Sequence, residues 1–274
     1  DEDTNALGTT DCDIFFADRD GDTHGKPGDS RCYCEASGVY SAADHDDCDD
    51  GSARTYPGAA YEESPTDCMK DADSDGFGDS SASAPIIPGL DCDDSLPMVN
   101  PDVNEDCDTP YDDNCDSDTN NENAEFCDDF FADRDADGFG KPGDSKCYCE
   151  ARGVYTETDD DDCDDSSYHT HPGAAAEDSS TECMKDTDGD GYGDTSPSSG
   201  IDAGSDCDDG NSFRNPGVRE RCATGYDDNC DGETNDINAS GCSNVYTDND
   251  GDGYGDSDDA ECRCTTTPTY SFGV

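Results

Sequence analysis

The chain repeats itself at a constant offset of 115 residues, without a gap. "CDIFFADRD" from Cys12 returns as "CDDFFADRD" from Cys127, and "KPGDSRCYCEASGVY" from Lys26 returns as "KPGDSKCYCEARGVY" from Lys141. "DCMKDADSDGFGD" from Asp67 returns as "ECMKDTDGDGYGD" from Glu182, and "YDDNCD" stands at Tyr111 and Tyr226. A third copy opens at Cys242 and carries "TDNDGDGYGD" and "CRC". Self-similarity at this period means that one folding unit is used again and again. Each full repeat divides once more, because "DCDD" occurs twice in it, each time followed by a Pro turn ("YPGA", "NPDV", "HPGA", "NPGV"). The expected organisation is a lead-in over 1–11 that completes a preceding unit, modules 12–67, 68–126, 127–182 and 183–241, and a partial third repeat with a tail over 242–274.

Gly, Pro, Asp and Ser interrupt every segment within a few residues, so helical periodicity is weak throughout. Pieces such as "DIFF", "SGVY" and "NVYT" suit strands of three to five residues. Large apolar residues are too scarce for a conventional core, and cross-links must replace the missing burial. The expected fold is a small repeat stapled by disulfides and calcium, with irregular loops, short β-hairpins and little helix. Stacked units of this kind form an elongated rod with a minimal hydrophobic core.

Charge sets the next constraint. There are 73 acidic and 14 basic side chains, a formal net charge of -59. Such self-repulsion calls for a neutralising partner, and a nucleic acid is not one, because its phosphates would be repelled. The acids are also placed rather than scattered, which separates the pattern from a salt-adapted surface. They fall at positions 1, 3 and 5 of five loops: Asp18, Asp20, Asp22; Asp71, Asp73, Asp75; Asp133, Asp135, Asp137; Asp186, Asp188, Asp190; and Asp248, Asp250, Asp252. Gly76, Gly138, Gly191 and Gly253 hold position 6, and Thr23 holds it in the first loop. Three carboxylates converging on one point, with a glycine at the turn, is how a chain surrounds Ca²⁺ with oxygen. Two carboxylates ~4 Å apart repel by ~4 kcal/mol at an effective dielectric near 20, so loops without an ion are expected to open.

Further oxygens are expected from position 12 of the first-module loops (Asp29, Asp144, Asp259) and from position 9 of the second-module loops (Asp79, Asp194). Each "DCDD" is expected to close the loop before it, through Asp47, Asp49, Asp50; Asp91, Asp93, Asp94; Asp162, Asp164, Asp165; and Asp206, Asp208, Asp209. A second type of site is read at Asp112, Asn114, Asp116, Asp118 and at Asp227, Asn229, Asp231, Glu233. Together these predict about five to seven calcium ions; seven would bring the charge to about -45.

The 19 cysteines point to a disulfide framework in an oxidising compartment. Eight can close within a repeat. The expected pairs are Cys12–Cys32, Cys34–Cys48, Cys68–Cys92 and Cys107–Cys115, then Cys127–Cys147, Cys149–Cys163, Cys183–Cys207 and Cys222–Cys230, with Cys242–Cys262 in the third copy. This leaves Cys264 unpaired: a thiol, a bond to another chain, or a sign that the protein continues. Zinc at "CYC" or "CRC" is disfavoured, since such sites usually space their cysteines C-x2-C.

No run of 18 apolar residues exists, so no membrane-spanning helix is expected. The chain begins at Asp1 without an apolar signal core and reads as processed or excerpted. Paired carboxylates can hydrolyse glycosides, but here they recur periodically with no cleft implied, so no enzyme is expected. The histidines His24, His45, His169 and His171 change identity between repeats and stand outside the repeating design. Asn238-Ala-Ser is the sole N-glycosylation sequon, and the tail "TTTPTYSFGV" is read either as a strand for a neighbouring chain or as a frayed end.

With "DADGFG", "DCDD", "HPGA" and "YDDNCDG" in view, the chain resembles the MopE-type metal-binding repeats, and its loops are similar to thrombospondin type 3 calcium repeats. The resemblance covers Asp1 to about Cys264. It implies a secreted, extracellular or cell-surface rod ordered by ions, with the aspartates at loop positions 1, 3 and 5 as ligands. The copper chemistry of the MopE type, through histidine and a modified tryptophan, does not carry over, since Trp is absent. The expectation is a calcium-binding structural protein, a subunit of a fibre, stalk or surface layer built from copies of itself end to end or with other surface components. Asp1 aligns with Asp116, as the last half of a "YDDNCDSD" site. The alternative is a calcium-rigidified adhesin or ligand-binding segment of a larger surface protein.

Overall fold

The computed structural model describes residues 11–234, 237–265 and 269–273. The lead-in, with its half-site at Asp1 and Asp3, lies outside them apart from Asp11. The chain forms two compact units, Asp1–Asp128 with Cys147–Glu150, and Asp129–Lys146 with Ala151–Val274. Among the described residues there is no helix. Regular structure is confined to short antiparallel pairs, as turn residues every few positions dictate.

Each Cys-led first module makes a three-stranded sheet. In the first, β1 (Asp13–Ala17) lies between β2 (Ser30–Tyr33) and β3 (Tyr40–Ala42). A two-stranded pair follows, β4 (Thr55–Pro57) with β5 (Cys68–Lys70). The second repeat reproduces both, with the sheet of β6 (Asp128–Ala132), β7 (Ser145–Tyr148) and β8 (Tyr155–Glu157), and the pair β9 (Thr170–Pro172) and β10 (Cys183–Lys185). In the third copy β11 (Ser243–Thr247) lies between β12 (Ala260–Arg263) and β13 (Tyr270–Ser271). The "TTTPTYSFGV" segment thus supplies the third strand of its own sheet: Thr247 pairs with Tyr270, as Ala17 pairs with Tyr40 and Ala132 with Tyr155.

Each metal-type loop leaves the end of a strand and folds back against it. The contact explains the second glycine of the Gly-aromatic-Gly signature. A Cβ on Gly140 would lie 2.4 Å from the Phe131 Cβ and 2.2 Å from the Asp159 carbonyl oxygen.

Apolar burial is sparse and small. Ala17, Ala42, Ala59, Ala60, Met69, Phe77 and Val99 are the buried apolar residues of the first repeat up to its Pro turn. The largest fully buried side chains in the molecule include Glu105, Glu220, Asp91 and Asp206 beside Val99 and Val245. Carboxylates occupy interior volume that a conventional domain gives to leucine and phenylalanine.

Nine disulfides are present among the described residues, and they correct the expected pairing. Cys12–Cys32, Cys127–Cys147 and Cys242–Cys262 close as expected, each beside a β1-type strand. Of the others, four run forward across module boundaries, and those from Cys92 and Cys207 close within a second module. Cys48 joins Cys68, not Cys34, and Cys163 joins Cys183, not Cys149. Cys92 joins Cys115, not Cys68, and Cys207 joins Cys230, not Cys183. Cys107 joins Cys149, not Cys115, and Cys222 joins Cys264, not Cys230. Cys264, expected to be left over, is therefore bonded; Cys34 is exposed.

The cause is local. A "DCDD" segment packs on its own loop with its cysteine turned to the next cysteine-bearing element. Asn120 supports the longer crossing, because its side-chain oxygen accepts from the backbone of Cys149 (2.8 Å) and of Glu150 (3.0 Å). Non-reducing peptide mapping is expected to recover Cys48–Cys68 and Cys107–Cys149 and no Cys34–Cys48 peptide. Replacing Cys107 and Cys149 together by Ala is expected to cost about 2–5 kcal/mol in denaturant unfolding.

Candidate metal centres

The loops share one hydrogen-bond pattern. The aspartate at position 1 accepts from the backbone N–H groups of positions 4 and 6: Asp186 from Gly189 and Gly191 (both 2.8 Å), and Asp248 from Gly251 (2.7 Å) and Gly253 (2.9 Å). The aspartate at position 5 accepts from position 7, as in Asp75 from Phe77 (2.8 Å) and Asp137 from Phe139 (2.9 Å). Positions 4 and 6 are both left-handed. Position 6 has φ of 80 to 102° at Thr23, Gly76, Gly138, Gly191 and Gly253, and position 4 has 65 to 86° at Gly21, Ser74, Ala136, Gly189 and Gly251. Only position 6 betrays itself in the sequence as a near-constant glycine.

The aspartates at position 1 use both oxygens in this pattern, whereas those at positions 3 and 5 keep oxygens that no donor meets. Buried carboxylate oxygens without a hydrogen-bond partner occur on Asp20, Asp22, Asp73, Asp135, Asp137 and Asp188. The first aspartate of every "DCDD" adds another: Asp47, Asp91, Asp162 and Asp206 each accept the N–H two residues on with Oδ1 (2.8 Å), while Oδ2 has no partner. Asp91 and Asp206 are fully buried. An ionised carboxylate in that position is costly unless a cation meets it. Oxygens of Asp18, Asp20 and Asp22 lie within 4.8 Å of one another, as do those of Asp71, Asp73 and Asp75, and of Asp73, Asp91 and Asp94. The donor set fits a hard cation bound by oxygen. Two other close groups include Cys92 with Cys115 and Cys207 with Cys230, whose sulfurs are in disulfides and offer no thiolate.

The remaining predicted ligands are engaged by the chain's own donors. The last aspartate of each "DCDD" accepts the backbone N–H at loop position 2: Asp50 from Arg19 (3.0 Å), Asp94 from Ala72 (2.6 Å), Asp165 from Arg134 (2.7 Å) and Asp209 from Thr187 (2.8 Å). Its second oxygen meets Arg19, Lys70, Arg134 or Lys185. These aspartates latch the segment onto the loop. Asp29 and Asp144 pair with Arg19 and Arg134, which hold both below the ordinary carboxylate range. Asp259 accepts from the Thr247 hydroxyl (2.7 Å). Asp79 pairs with Lys70 (3.0 Å) and Asp194 lies 3.7 Å from Lys185. Asp93 and Asp164 accept from Ser95 and Ser166 (2.6 Å each), Asp208 pairs with Arg214, and Asp49 lies over Gly51. The middle aspartates thus serve the following turn.

The "YDDNCD" segments prove to be loops of the same kind. Asp112 accepts from Asp116 (3.1 Å) and Ser117 (2.8 Å), Asn114 from Asp116 (3.0 Å), and Asp116 from Asp118 (2.8 Å). Asp118 accepts from Asn120 (3.1 Å). In the second copy Asp227 accepts from Asp231 (3.2 Å) and Gly232 (2.8 Å), Asn229 from Asp231 (3.3 Å), and Asp231 from Glu233 (2.9 Å). Positions 4 and 6 are again left-handed, at Cys115 and Ser117 and at Cys230 and Gly232.

Sequence reasoning missed Glu105 here. It is 2 % exposed, accepts from Asn114 N with Oε1 (3.0 Å), and leaves Oε2 buried with no partner. Burial raises its pKa, and the charges of Asp112, Asp113 and Asp116 push it the same way. Glu220 holds the equivalent place and accepts from the backbone of Asp228 and Asn229. The signal was present: the glutamate is kept at the 115-residue offset while its neighbours Asn104 and Asp106 become Arg219 and Arg221.

The Pro turns close the loops in two ways. In second modules the Asn100 amide reaches Asp75 (2.9 Å) and the Asn215 amide reaches Asp190 (2.6 Å). In first modules a stacked ring pair does so, His24 on Tyr56 (4.9 Å) and Phe139 on His171 (4.8 Å). Two of the four histidines thus belong to the design after all, as exchanged halves of one pair.

The model of the Cu-binding MopE family, described as "Putative metal-binding motif", matches residues 47–76, 91–121, 162–177 and 206–236. Every match begins at the "DCDD" aspartate whose Oδ2 lacks a donor. At these four places the chain is similar to that family's motif. No curated protein and no solved structure matched it.

Burial, with neighbouring acids adding to it, pushes Asp91 up to about 7 and Asp137 and Asp206 up to about 6. Without metal these groups favour the folded state at low pH, and that stability is lost as pH rises through about 6 to 7. Metal binding requires the protons to leave, so affinity is expected to rise over the same window; titrations at pH 5, 6, 7 and 8 check the opposed slopes. Asp91→Asn is expected to remove one ion yet make the stripped protein about 1–2 kcal/mol more stable at pH 8, by deleting an uncompensated charge. Ion counting and chemical denaturation in chelator measure the two effects.

Proposed function

We propose that the bound ions are calcium, about five to seven per chain, and that they order an extracellular structural repeat that joins copies of itself into a fibre, stalk or surface layer. The observation that carries the metal reading is the donor-free Oδ2 repeated on Asp47, Asp91, Asp162 and Asp206. Calcium is favoured because the inward atoms are carboxylate oxygens, in flexible loops that supply several ligands each. Copper would favour imidazole or sulfur, and the histidine rings nearest the loops are stacked on aromatic partners. The nine disulfides fit an oxidising, extracellular setting, and among the described residues no helix is long and apolar enough to cross a membrane.

The structural role is supported by the connection of the repeats. Cys107–Cys149 and Cys222–Cys264 tie each repeat to the one that follows, so a series of units is covalently continuous. Asn238 is exposed and available to a glycan. Titration calorimetry of chelator-stripped protein is expected to show five to seven calcium ions and weak magnesium binding. Fewer than three calcium ions would overturn the calcium reading. Electron microscopy of the calcium-loaded protein is expected to show filaments with an axial repeat, and dispersed single particles would favour a spacer in a larger surface protein.

A further inference from the structure

In one stretch the two repeats differ in the sign of their charge. Ser95 to Tyr111 contains four acids, Asp102, Glu105, Asp106 and Asp108, and no base. The equivalent stretch, Gly210 to Tyr226, contains three arginines, Arg214, Arg219 and Arg221, and the single acid Glu220. Glu220 is buried at 1 % exposure and committed to backbone N–H groups. In a chain of formal charge -59, this is a cationic island.

The island also exposes aromatic surface. Phe213 is 64 % and Tyr226 61 % exposed. The Arg221 guanidinium lies 5.5 Å from the Phe213 ring centre, and that of Arg214 lies 5.0 Å from the Tyr226 ring centre. At the position of Arg214 the first repeat has Val99, buried at 1 %. Arg19 and Arg134 are spent on loop carboxylates, and Arg214 itself meets Asp208 (2.8 Å). Among the described residues Arg219 and Arg221 form no ion pair, and Arg219 is exposed. A guanidinium held flat on an aromatic face presents its N–H fork to a planar anion at little entropic cost, and carboxylate is the anion that it matches in two parallel bonds.

The geometry points to the Phe213–Tyr226 surface as a docking face for the carboxylate-rich surface of a second copy of this chain. The occupant is argued from charge complementarity: the patch is basic and the rest of the same molecule is densely acidic. The idea rests on the proposed assembly of copies and gives that assembly its contact. It also gives it direction, since a contact between two different surfaces propagates.

Sedimentation velocity on the intact, calcium-loaded protein at 20 mM and 500 mM NaCl tests it. Wild type is expected to associate at low salt and dissociate at high salt. Arg219→Glu, which reverses an exposed charge, is expected to weaken association at least tenfold. Arg152→Glu, an equal charge change at another exposed position, is expected to stay within twofold. Calcium stoichiometry verifies that each variant is folded. Association of Arg219→Glu equal to wild type overturns the docking face and leaves the assembly reading standing. Wild type that stays monomeric at both salts overturns both. Retention of monomeric wild type, but not Arg219→Glu, on an immobilised polyuronate would reassign the face to an acidic polysaccharide.

Discussion

A carboxylate buried without a donor is the interaction on which this structure turns. Asp91 and Asp206 are as buried as any residue in the chain, and each keeps one oxygen that no N–H or O–H meets. In most proteins such a group would be a defect. Here it recurs at the same place in four modules, beside loop aspartates with the same deficiency, and together they form a donor set that fits a cation. In the first aspartate of each "DCDD" the backbone takes one oxygen and leaves the other without a donor.

The cross-links and the few apolar contacts make sense around that centre. The few buried apolar side chains, mostly alanines, cannot offset the entropy of ordering so many loops. Disulfides reduce what must be offset, and their forward pairing means that each module is anchored to its successor. The protein's own cations do a narrower task. Arg19, Lys70, Arg134 and Lys185 neutralise the aspartates that latch "DCDD" to its loop, leaving the inward oxygens to the ion.

Much of this was legible in the sequence, and the failures have physical causes. The 115-residue repeat, the strands at "DIFF" and "NVYT", and the aspartates at positions 1, 3 and 5 are visible because spacing alone carries them. The pairing of Cys48 with Cys68 was not, since sequence distance says nothing of which face of "DCDD" the sulfur takes. Asp29 and Asp144 look like ligands by their spacing; only the fold shows that the arginine at loop position 2 reaches them. Glu105 lies outside its loop, so no local motif exposes it. The His24–Tyr56 and Phe139–His171 pairs were hidden because the two partners trade identity between repeats, which reads as a lack of pattern until both rings are seen together.

The cysteine bridges overlap along the chain: Cys92–Cys115 closes a ring that the Cys107–Cys149 bridge enters before it ends, and Cys207–Cys230 and Cys222–Cys264 repeat the arrangement. Within residues 92–149 and 207–264 a pull along the backbone is therefore carried by overlapping bridges. Removing the ions would slacken the loops inside each ring, yet the extra length released stops where the next bridge becomes taut. In those two stretches the slack that loops can give up is therefore capped by covalent bonds, not by the loops themselves.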